Sequence, residues 1–165
     1  MTTYWLVRNG GTDVRRYTLV ILCLLLVSIG MAYSADATEV KITNPPDGAI
    51  VSKNVDIGLT SKDIPVGQDF WICVYPIDVK RYYIQDKRHS PIVMTITGKQ
   101  ATEALVGSDE DSGMKFKLIT VIADRNAIKA IMDYLDQSNA KGAWNGLEKL
   151  PDGAKIFDEI TVTRK

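Results

Sequence analysis

Nineteen consecutive residues without a charge, Tyr17 to Ala35, divide this chain before any fold is considered. A run of that length is enough to span a hydrocarbon layer of about 30 Å. The charges ahead of it, Arg8, Arg15 and Arg16 against Asp13, keep the N-terminal side in the cytoplasm and send the remainder out. The run is densest between Leu19 and Val27 and relaxes into Gly30-Met31-Ala32-Tyr33-Ser34-Ala35. Ala32 and Ser34 are small residues three and one positions before a signal-peptidase cut, so residues 1–34 read as a signal peptide cleaved after Ser34 or as an uncleaved signal anchor. Cys23 follows Leu22, where a lipoprotein signal requires Gly, Ala or Ser, and no lipid is expected on it.

Export constrains how the rest of the chain can be held together. Cys73 is the one cysteine beyond the run, so no disulfide within the chain can staple the exported part, and its stability must come from a hydrophobic core. About 130 residues are sufficient for one. Cys73 lies in Phe70-Trp71-Ile72-Cys73-Val74-Tyr75, where it reads as a small buried hydrophobe. Beyond residue 34 the basic groups number 17 (20 less Arg8, Arg15 and Arg16) and the acidic groups 19 (20 less Asp13). Without clustered Lys and Arg to neutralise phosphates, nucleic acid is not an expected partner.

Alternation of apolar and polar residues dominates from residue 39 onward. Glu39 to Pro46 begins as an alternating strand and stops at Pro45-Pro46, which have no N–H to give a ladder. Val55, Ile57 and Leu59 alternate with Asp56 and Thr60 as a half-buried strand does. Phe70 to Tyr75 is apolar on both faces, as expected of a central strand between two packed layers. Arg81 to Ile84, Ile92 to Thr97 and Thr102 to Val106 read as further strands. In the next, Met114, Phe116, Leu118, Thr120 and Ile122 alternate with Lys115, Lys117, Ile119, Val121 and Ala123, so its second half is buried on both sides. A single helix is expected over about 125–137, capped by Asp124 and carrying Ile128, Ile131, Met132 and Leu135 at helical spacing; it should lie on a sheet edge or a sandwich end. Ile156 to Thr163 closes the chain as a strand. About seven short strands with one helix inserted before the last predict a mostly β, antiparallel sandwich over residues 39–165.

Over most of residues 39–165 these segments resemble those of immunoglobulin-like or fibronectin-like β-sandwich modules of exported prokaryotic proteins. Ile42-Thr43-Asn44-Pro45-Pro46-Asp47-Gly48-Ala49-Ile50-Val51 is similar to the opening "I-x-x-P-x-D-G-x-x-V" of many such modules. Phe70 to Pro76, followed by Arg81-Tyr82-Tyr83, looks like a third strand with its core tryptophan and hairpin partner. Leu150-Pro151-Asp152-Gly153-Ala154 and Ile160 to Arg164 look like the last loop and strand. The chain departs from the antibody pattern in lacking cysteines paired across the sheets and in its inserted helix. The resemblance implies an immunoglobulin-like sandwich and carries no shared active site.

Candidate chemistry is sparse. His89, the only histidine, sits in the charged turn Asp86 to Pro91 and reads as solvated, with no Ser, Cys or carboxylate constellation around it. One histidine and one exported cysteine do not make a zinc site. Asp109, Glu110 and Asp111, in the loop Gly107 to Gly113, offer oxygen ligands for Ca²⁺, although the same composition describes a solvated turn. Tyr75, Arg81, Tyr82, Tyr83 and Trp144 form a candidate platform for sugar rings or a protein partner, set against the reading in which they pack the core. No cofactor is expected. The expected function is a non-catalytic extracytoplasmic binding or structural module that engages the membrane through its N-terminal segment and recognises a protein or cell-surface glycan. An accessory subunit or small enzyme with an unrecognised site is the alternative.

Overall fold

A computed structural model describes residues 38–86 and 98–165; the N-terminal run, His89 and the expected Ile92–Thr97 strand lie outside the described residues. Its strands are β1 (Glu39–Asn44), β2 (Ile50–Val51), β3 (Asn54–Lys62), β4 (Asp69–Pro76), β5 (Tyr83–Ile84), β6 (Gly98–Leu105), β7 (Lys115–Ala123) and β8 (Ala154–Arg164), with helix α1 (Arg125–Lys141) between the last two. They form two sheets, ordered β1-β3-β6 and β2-β8-β7-β4-β5. Every pairing is antiparallel except that of β2 with β8.

Period-two alternation explains how the sheets meet. From β7, Phe116, Leu118 and Ile122 enter the cluster between the sheets with Ile57 and Leu59 of β3 and Phe70, Ile72 and Val74 of β4. The alternate residues of the same strands, Ile119, Val121 and Ala123 with Trp71 and Cys73, form a second cluster on the other face of the five-stranded sheet. That face would be a large exposed apolar surface if it were left open. Helix α1 closes it with Ala127, Ile131 and Leu135, all fully buried.

The helix therefore covers the outer face of the five-stranded sheet, rather than a sheet edge or a sandwich end. The reason lies in β4 and β7, whose two apolar faces require a layer on each side. Asp124 Oδ1 accepts from the N–H groups of Asn126 and Ala127, both at 3.0 Å, capping the first turn. The helix runs one turn beyond residue 137 and stops at Gly142, whose φ of 61° suits a residue without Cβ.

Both flanks of the sandwich are tied by a side chain that satisfies a backbone N–H of the opposite sheet. On one, Asp158 Oδ2 of β8 accepts from Ile42 N of β1 at 2.8 Å, next to a bulge in the β7–β8 ladder. On the other, Gln85 Oε1 accepts from Leu105 N of β6 at 2.9 Å, and its Nε2 donates to the Tyr83 carbonyl. Each bond is worth about 1 kcal/mol net, and together they hold the sheets in register where ladder bonds cannot reach.

Candidate functional site

The short strand β5 decides what becomes of the aromatic residues. Only Tyr83 and Ile84 of the expected Arg81–Ile84 strand pair with β4. Tyr82 instead exchanges two backbone hydrogen bonds with Leu147, 2.8 and 2.9 Å, so the loop after α1 docks beside β5 as a one-residue bridge. Arg81 fastens that loop: its guanidinium donates to the carbonyls of Asn145 and Gly146 and pairs with Glu148 at 2.8 Å. Gly146 has a φ of 66°, and a Cβ there would stand 2.9 Å from Arg81 Cβ and 3.0 Å from Tyr83 Cζ, so only glycine fits.

Tyr75 and Tyr82 meet with their rings tilted 53° and 4.8 Å between centroids, and pack against the cluster beneath α1. Burial, followed by the neighbouring Tyr75, raises the Tyr82 pKa, as expected of a phenol that serves packing. Cys73 is fully buried in the same cluster, and burial pushes its thiol far above the ordinary range, leaving it inert as a nucleophile.

Tyr83 and Trp144 belong elsewhere. With Asp111 they line a cavity of about 450 Å³ that opens beside β5, where Val74, Pro76, Met114 and Phe116 provide an apolar wall. That volume lies within the range of small-ligand and side-chain pockets. Trp144 is 42% exposed, and its indole meets Tyr134 of α1 edge-on at 6.4 Å. Val79 and Leu105, 49% and 52% exposed, also line the cavity, so three of the six large hydrophobics exposed among the described residues gather there. The sequence singled out Tyr83, Trp144 and Asp111 but missed Val79 and Leu105. For Leu105 a trace existed, because Leu105-Val106 is an adjacent apolar pair in an alternating strand and one of the two must turn away from the core.

The acidic loop forms a capped 3-10 turn, Asp109–Asp111. Asp111 Oδ2 accepts from Ser108 N at 2.6 Å while Ser108 Oγ accepts from Glu110 N at 3.2 Å. The bonds from Ser108 hold the Asp111 carboxyl below its usual range. Asp109 faces Lys53 at 3.2 Å and Arg164 at 3.8 Å, so its charge is turned toward the protein's own cations. Among the described residues no group of three or more His, Cys, Asp or Glu is placed to hold a metal ion. Nor is any described helix long and apolar enough to cross a membrane.

No known protein family matches the chain, and no curated protein is significantly similar to it.

Proposed function

We propose that this chain is a non-catalytic binding module of immunoglobulin-like type, exported by its N-terminal run and working outside the cytoplasmic membrane. Strand order supports the immunoglobulin-like reading: β1-β3-β6 faces β2-β8-β7-β4-β5, and the domain's first segment is shared between the sheets, with short β2 running parallel to the last strand. The single observation that carries the binding reading is the cavity rimmed by Trp144, Val79 and Leu105. Exposed apolar side chains gathered around one concavity are costly to leave in water, and a ligand that covers them recovers that free energy.

Its lining favours a protein partner over a glycan. Gln85, Asp86 and Asp111 bring polar groups to the lining, but the wall of Val74, Pro76, Met114 and Phe116 has no side-chain donors to replace the hydrogen bonds a sugar would lose to water, whereas an apolar side chain loses none. The test places a photo-cross-linking residue at position 79 of the full chain in its native envelope, with position 56 on the three-stranded sheet as control. Position 79 should yield a discrete adduct that disappears in a Leu105→Glu chain, and position 56 none. Equal labelling at the two positions would defeat the proposal, and competition by soluble envelope polysaccharide would transfer the site to a glycan.

A further inference from the structure

A carboxylate is built into the apolar wall of the cavity. Gly107 has a φ of 71°, and a Cβ there would stand 2.8 Å from both Asp111 Oδ2 and Phe116 Cζ. The glycine thus lets the Asp111 carboxyl come down beside the edge of the Phe116 ring. Ser108 N donates to Asp111 Oδ2 at 2.6 Å and fixes it there, while Asp111 Oδ1 accepts no hydrogen bond among the described residues. Asp111 therefore lines the cavity with one oxygen uncommitted.

The protein's own cations are engaged elsewhere. Lys53 faces Asp109 at 3.2 Å. Arg164 places Nη2 3.8 Å from Asp109 Oδ1 and donates from Nη1 to the Lys165 carbonyl at 2.8 Å. The bonds from Ser108, ahead of the charge of Arg164, hold the Asp111 carboxyl below its usual range, so it is ionised at neutral pH. Among the described lining residues the charged ones are Asp86 and Asp111, and no Lys, Arg or His joins them. A negative charge set against an apolar wall is complemented by a cation that arrives with the ligand.

We propose that the segment docking in this cavity presents an apolar side chain next to a lysine or arginine, the apolar group filling the cavity against Phe116 and Tyr83 and the cation pairing with Asp111. The inference rests on the protein-partner reading of the cavity and adds the charge of the segment that enters it. Apolar burial supplies most of the affinity. The ion pair selects among apolar segments, because one that brings a carboxylate to Asp111 is repelled. Asp111 is only half-buried, so the selection amounts to about fivefold, the upper end for a pair still in contact with water.

The test uses the full chain in phosphatidylcholine nanodiscs, titrated with capped peptides Ser-Leu-Val-X-Ser in which X is lysine, acetyl-lysine or glutamate. Binding is read from the indole N–H resonance of Trp144. The lysine peptide should bind about fivefold more tightly than the acetyl-lysine peptide, and the glutamate peptide most weakly. Asp111→Asn, whose amide oxygen can still accept from Ser108 N, should reduce the lysine peptide to the affinity of the acetyl-lysine one. Equal affinities in the unaltered chain, or a preference that survives Asp111→Asn, would overturn the charge selection and leave the cavity reading standing. Failure of every peptide to bind, with the position-79 adduct still formed in the envelope, would likewise refute this inference alone. Loss of that adduct as well would bring down the protein-partner reading and the inference together.

Discussion

Tyr82 and Tyr83 are neighbours in sequence with opposite fates. Tyr82 packs with Tyr75 beneath α1 and its following loop, in a cluster where Trp71, Ile131 and Leu135 are almost wholly removed from water. Tyr83 lines the cavity beside Trp144, where the apolar residues remain partly wet. A strand turns successive side chains to opposite faces, so one residue step separates packing from availability. Aromatic residues clustered in sequence are thus not a platform: the backbone divides them.

Stability should break along this line. Leu135→Ala leaves a cavity under the helix and should cost about 3 kcal/mol, read as a lower urea midpoint with unchanged slope. Trp144→Ala should cost less than about 1 kcal/mol, because that side chain is 42% exposed, while removing adduct formation at a cross-linker placed at position 79. If the two substitutions destabilise equally, the division between the sides fails. Gly146→Ala should fall between them at about 2 kcal/mol, since its left-handed backbone and the contact with Tyr83 both resist a Cβ. Exchange of the Tyr82 and Leu147 amides should accelerate in that variant ahead of global unfolding.

Much of the helix-covered side is legible from residues alone. Phe70 to Tyr75 and the second half of β7 are apolar on both faces, which requires two covering layers, and the spacing of Ile131 and Leu135 identifies a helix able to form one. The face that helix covers is not legible, because it depends on strand order, and strand order joins residues as distant as Asp69 and Ala123. The cavity is harder still. Val79 stands in a turn, Leu105 at a strand end and Trp144 in a loop, and nothing local in the sequence relates them. Arg81 misleads for a similar reason: beside two tyrosines it resembles a ligand contact, yet its partners lie more than sixty positions away in the loop it fastens.

Smaller effects are expected at the fastened loop and at the cavity's acidic rim. Arg81→Ala should lower stability by less than about 1 kcal/mol through the pair with Glu148, whose side chain is 80% exposed. Asp111 has a lowered pKa, so its contribution is present above the unfolded-state value and is lost only as pH falls through the lower folded value. The Ser108 amide resonance should accordingly hold steady at pH 5 and move only below the ordinary aspartate range. Movement nearer pH 5 would show that the capping bonds do not form.

Thiol labelling of one chain compares the sealed helix side with the open cavity side directly. In a Cys23→Ser, Val79→Cys variant, the new cysteine should react with an aromatic disulfide reagent at the rate of an exposed thiol. Cys73 should be modified only as fast as the domain unfolds. Rapid modification of Cys73 under native conditions would contradict this division, because the helix would then not cover the sheet.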